Sequence, residues 1–230
     1  MLLIFTVTTL QAQYIGWSEI DTTKVAPWQA AFESDYVGSY HFGESEGESS
    51  LYLICSEGFW VGQIQSGEFS EDGRAWISTY ENLKNIVIST EGNFKSDTYS
   101  GSFVSYTNED GSIENGLKIY DSWSGHEKGT YEIGIRTMTS FDDLYYGDYR
   151  EASYKILSSE NLQALSKEKL QLMRNEIFAR YGYIFQEGGA MEKHFKQQKW
   201  YKPSNKNVDV YLTAIEKENI KRINTIENSK

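Results

Sequence analysis

The sequence predicts an α+β protein: an N-terminal antiparallel β-barrel or sandwich of about eight strands, followed by a small C-terminal helical domain. Three observations carry this. Short apolar runs recur about every ten residues between Asp35 and Arg136, separated by turn residues. Helical spacing replaces that pattern beyond Met138. The charge divides at nearly the same place: residues 1–150 hold 8 Lys and Arg against 23 Asp and Glu, a net −15, whereas residues 151–230 hold 14 against 10, a net +4. A chain of 230 residues accommodates one large domain or two modest ones, and this asymmetry favours two parts of different character.

At the N-terminus, the apolar run Leu2–Leu10 with Ala12 behind it reads as the remnant of a secretory signal over residues 1–13. It is far too short to span a bilayer. The alternative is an N-terminal strand of the barrel. An extracytoplasmic location, periplasmic or secreted, is therefore expected, and without a Cys after the run no lipid anchor is expected there. Cys55 is the single cysteine, so no internal disulfide can form. It follows Leu51 and Leu53 on a period of two and reads as a buried small hydrophobe; no neighbouring His or basic residue would lower its pKa.

The β region is assigned to residues 14–137. Strands are predicted at Tyr36–Phe42, Ser50–Ser56, Phe59–Gln65, Trp76–Tyr80, Leu83–Ser89, Tyr99–Tyr106, Gly116–Tyr120 and Tyr131–Arg136. Tyr131, Ile133 and Ile135 alternate with Glu132, and Leu117 and Ile119 flank Lys118. Asp72-Gly73 and Asp110-Gly111 are turn dipeptides, and Glu44–Glu48 is a solvated loop. Closing such a meander into a barrel or curled sandwich removes its edges. The plan is similar to a lipocalin-like barrel, an analogy of fold that implies no function.

Residues 138–157 read as an Asp- and Tyr-rich connector, and residues 158–230 as the helical domain. In SKEKLQLMRNEIFARYG, Ser166 is the expected N-cap of a helix starting at Lys167. Leu170, Met173, Ile177, Phe178 and Tyr181 form its apolar stripe, Glu176 and Arg180 an i,i+4 pair, and Gly182 the left-handed stop. A short helix is predicted over Met191–Gln198, and a last one over Val210–Glu227 with Leu212, Ile215, Ile220 and Ile223 inward.

Three blocks in order, RNEIFARYG, KWYKP and IEKENI, give residues 159–224 a resemblance to the YARHG domain. The chain departs from the eponymous Tyr-Ala-Arg-His-Gly run at two positions, with Phe178 for the Tyr and Tyr181 for the His. The resemblance implies an extracytoplasmic setting and a module appended to other domains. An aromatic residue in place of the His implies packing or stacking rather than proton transfer.

Little in the chain points to catalysis. His41, His126 and His194 lie in separate segments without ligand partners at helix or strand spacing. No P-loop, dinucleotide fingerprint, nucleophile elbow or calcium loop occurs, so no metal or cofactor is expected. The acidic N-terminal part argues against nucleic acid as a partner. Tyr and Trp number 17 and 6, an enrichment that suits contact surfaces as well as small cores.

The expected binding residues are Arg174, Asn175, Arg180, Tyr181, Tyr183, Trp200 and Tyr201. Asn175 is expected to bond the backbone of the turn at Trp200–Pro203, and Arg180 to meet the helix terminus or an aromatic ring. The leading expectation is an envelope protein without catalytic activity, its helical domain contacting a protein or cell-wall component. The alternatives are a carrier of a small apolar ligand inside the β domain, and a hydrolase using paired carboxylates there.

Overall fold

Alternate residues of each long strand face opposite sides: one face forms the core, and part of the other is packed by helices. The computed structural model describes residues 12–230 except Ala75, Gly125, His126, Thr139 and Asp143; of Glu46 and Met138 only the backbone is described. Most of the expected signal segment, and His126, thus lie outside the described residues.

Among the described residues, twelve strands form one sheet. They are β1 (Gln13–Ile15), β2 (Ser18–Glu19), β3 (Val25–Pro27), β4 (Gly38–Phe42), β5 (Ser49–Ser56), β6 (Phe59–Phe69), β7 (Trp76–Leu83), β8 (Val87–Ile88), β9 (Asn93–Lys95), β10 (Ser100–Thr107), β11 (Ile113–Tyr120) and β12 (Tyr131–Met138). All eight expected positions carry strand, although the expected Leu83–Ser89 run is split between the end of β7 and β8. The order β7-β6-β5-β4-β12-β11-β10-β9-β8 is an up-and-down meander closed between β4 and β12 and open between β7 and β8. Asp97 N–H donates to the Lys84 carbonyl at 3.0 Å across that opening. The pairing is antiparallel along this path, while β1 runs parallel to β12.

Tyr40, Phe42, Leu51, Leu53, Phe103, Leu117 and Ile119 point inward and are almost fully excluded from solvent. Tyr36 stacks on Phe103 at 4.0 Å, and Phe94 meets Phe103 edge-on. The interior is therefore a packed core, which removes the expectation of an apolar ligand carried inside it. Cys55, expected to be buried, is half-buried near the end of β5, and burial pushes its thiol pKa up.

Among the described residues five α-helices follow: α1 (Glu151–Tyr154), α2 (Ser159–Gln163), α3 (Lys167–Arg180), α4 (Ala190–Phe195) and α5 (Ala214–Glu227). The outer face of β5–β7 is met by α1, α5 and the C-terminal end of α3, while α4 packs on α3 and α2 on α5. Ile54 and Val61 of the sheet pack with Phe141, Tyr145, Ile156 and Ile215. Ser166 caps α3 through its hydroxyl, as its position predicts. The last helix begins at Ala214 rather than Val210. The carbonyls of Val210, Tyr211 and Leu212 accept bonds from Asn82 Nδ2 on the sheet, which holds that stretch out of the helix, and Thr213 and Glu216 then form a capping box.

Candidate functional site

The FARYG stretch is built around its stop. Gly182 adopts φ +70°, its N–H donates to the Ala179 carbonyl at 2.9 Å, and Tyr183 N–H donates to the Phe178 carbonyl at 3.2 Å. This is the paired bonding of a Schellman terminus, and the accompanying apolar contact is present as the Phe178 and Tyr183 rings, 6.0 Å apart. Ser204 and Asn205 N–H groups bond the Gly182 carbonyl, and Asn205 Nδ2 donates to the Tyr181 carbonyl at 2.9 Å. The role expected of Asn175, tying the helix end to the following turn, thus belongs to Asn205 and its neighbours. Asn175 instead donates to the Gln171 carbonyl one turn back, at 2.7 Å.

Arg180 points into the protein. Its side chain is 6% exposed, and it donates to Glu176 Oε1 at 2.5 Å, Ser153 Oγ at 2.8 Å and the Tyr146 carbonyl at 2.8 Å. The guanidinium also lies 5.9 Å from the Tyr145 ring centre, the aromatic contact foreseen for it. Glu176 accepts the N–H groups of Asp148 and Tyr149, at 2.9 and 2.7 Å. Together the pair clamps the Tyr146–Tyr149 segment onto α3. Gly147, at φ +103°, permits that approach, because a Cβ there would sit 2.3 Å from the Glu176 carboxyl carbon. Burial pushes the Glu176 carboxyl upward against the pull of Arg180, and it draws the Arg180 guanidinium down.

Tyr181, 5% exposed, stands where the helices meet the sheet. Its hydroxyl donates to Glu216 Oε2 at 2.8 Å and accepts from Gln63 Nε2 of β6 at 3.2 Å. Gln63 Nε2 also donates to the Tyr211 carbonyl at 2.8 Å, and Tyr80 of β7 packs edge-on against the Tyr181 ring. Glu216 is fully buried and receives Ser153 Oγ at 2.6 Å and Thr213 N–H at 2.9 Å besides. Burial raises the Glu216 carboxyl, with those donors and Arg180 opposing, and it raises the Tyr181 phenol well above its ordinary value. Tyr181 therefore serves as a hydrogen-bond donor in a network running from α3 through α5 to the sheet.

The remaining expected residues divide between two places. Tyr201 is buried with Ala179, Phe185 and Phe195, and its hydroxyl donates to the Tyr183 carbonyl at 2.6 Å; Trp200 is half-buried and stacks on Tyr146. Arg174, Asn175 and Tyr183 instead border an open cleft of about 340 Å³, with Phe178 at its wall and Lys206, Asn207, Val208 and Asp209 opposite. Arg174 is held there by Asn224 and Glu227, each at 2.6 Å. His41 lies on β4 and His194 on α4, and among the described residues no group of three or more His, Cys, Asp or Glu is placed to hold a metal ion.

Sequence reasoning missed Gln63, Ser153, Glu216 and Lys206. Only Glu216 had a readable signal, the Thr-x-x-Glu capping box at Thr213. The others are made relevant by contacts distant in sequence.

A helical module fixed to a β-sheet by buried polar contacts, with an open cleft beside α3, is the arrangement the fold defines. Residues 146–228 match the family model of the YARHG domain, and this part of the chain is a YARHG domain. The matched segment starts at Tyr146, the residue whose carbonyl Arg180 binds. No curated protein and no solved structure matches the chain.

Proposed function

We propose that the protein is an exported, non-catalytic binding protein of the bacterial envelope, whose YARHG domain contacts a protein or cell-wall component through the Arg174–Lys206 cleft. The observation that carries this is the division of the seven expected residues. Arg180, Tyr181 and Tyr201 are committed to buried internal bonds, whereas Arg174, Asn175 and Tyr183 converge on open space beside the exposed cation Lys206. Aromatic walls with a few placed polar groups suit recognition more than chemistry. The YARHG domain supports the extracytoplasmic setting, and among the described residues no helix is long and apolar enough to cross a membrane. In this reading the β region, residues 14–137, carries the domain that contacts the partner, and residues 138–157 join the two.

The test is co-sedimentation of the full chain with envelope fractions, separated into sacculi and membrane. Lys206→Glu is expected to weaken binding on the order of tenfold while leaving Tm unchanged, because its exposed side chain borders the cleft. A wild-type chain that stays in the supernatant, or a variant that sediments as well as wild type, overturns the assignment.

A further inference from the structure

A second cavity lies at one mouth of the barrel, remote in sequence from the YARHG cleft and independent of it. It measures about 410 Å³, within the range of small-ligand sites, and is bordered by Glu48, Ile64, Ser66, Thr79, Glu81 and Trp123. Its aromatic wall is built and held. The Trp123 indole N–H donates to Ser49 Oγ at 2.8 Å, and its ring packs on Phe42 at 4.5 Å and on Tyr99 at 5.1 Å. The indole is therefore held in place at the cavity wall.

The polar lining has one sign. The described residues bordering the cavity include two carboxylates and no Lys or Arg. Glu48 is 4.0 Å from His41, whereas the Glu81 carboxylate has neither hydrogen bond nor ion pair among the described residues. Its field already reaches the neighbouring ring, adding to burial in raising the Tyr99 phenol. Ser66 and Thr79 bond each other at 2.8 Å, leaving hydroxyl lone pairs at the rim. The surrounding residues 1–150 carry the net −15 that concentrates cations near such an opening.

We infer that this mouth binds an alkylammonium group, with Trp123 as the cation–π face and Glu81 as the counter-charge. A flat aromatic surface next to an unpaired carboxylate favours an organic cation over a metal ion, which needs several converging oxygen ligands. An ammonium can arrive on a free amine or on a lysine side chain of a polypeptide.

The experiment is an NMR titration of the full chain, following the Trp123 indole N–H, at a fixed ionic strength of about 0.15 M to screen diffuse attraction. The probes are n-butylammonium, its neutral counterpart n-butanol, and acetyl-Gly-Lys-Gly-amide. Saturable binding of at least one ammonium probe, about tenfold tighter than n-butanol, is expected, and comparison of the two ammonium probes distinguishes the sources. Glu81→Gln is expected to weaken it about tenfold at unchanged Tm, while Glu68→Gln, which does not border the cavity, leaves it unchanged. Saturation by neither ammonium probe, equal binding of n-butanol, or full binding by Glu81→Gln overturns the inference.

Discussion

At the residue scale, the informative position is 181. A Tyr where the family name carries a His reaches across the helical layer to Gln63 and Glu216 and is sealed there. Glu216 gives this network a testable electrostatic signature. Its carboxyl is raised above the ordinary value of 4.5, chiefly by burial, so the folded state takes up its proton more readily than the unfolded chain. A raised folded value contributes stability that is fully present below the unfolded value and is lost as pH rises through the folded one. Each unit of difference is about 1.4 kcal/mol, and each kcal/mol moves Tm about 2–4 °C for a chain of this size. Melting wild type and Glu216→Gln at about pH 5 and about pH 8 should therefore show a larger loss of Tm with rising pH in wild type. Equal pH dependence in the two would remove the buried carboxylate from the account.

At the element scale, the ends of α3 decide how the YARHG domain is shaped. Its start at Ser166 and its stop at Gly182 were both legible, since caps are local and leave local signatures. Gly182→Ala would place a Cβ 2.5 Å from Ser204 Oγ and 2.6 Å from the Lys202 carbonyl, in a left-handed conformation. The expected cost is about 1–3 kcal/mol by denaturant unfolding of the full chain; a neutral result would show that the turn relaxes freely. The side-chain task given to Asn175 was misread for the opposite reason. Helical spacing places it beside the motif, but it cannot reveal that Asn205 reaches the turn first. Likewise, alternation located the strands, while the exit of Val210–Leu212 from the last helix depended on Asn82, more than a hundred residues earlier.

At the scale of the whole molecule, the two parts meet through the outer face of β5–β7. The charge asymmetry and the change of periodicity made both parts readable in the sequence. Their junction was not, because the Gln63–Tyr181 contact spans 118 positions and nothing local to either residue identifies its partner. The same contact explains why the motif need not be a binding surface: the groups that define it are already engaged. The central claim, that FARYG is the latch between helices and sheet, is tested most directly by a double-mutant cycle. Gln63→Ala, Tyr181→Phe and the double variant would be unfolded in denaturant as full chains, with fluorescence and circular dichroism followed together. The expected result is one coincident transition and a coupling energy of about 0.5–3 kcal/mol between the two sites. Additive effects, with the helices melting before the sheet, would contradict it.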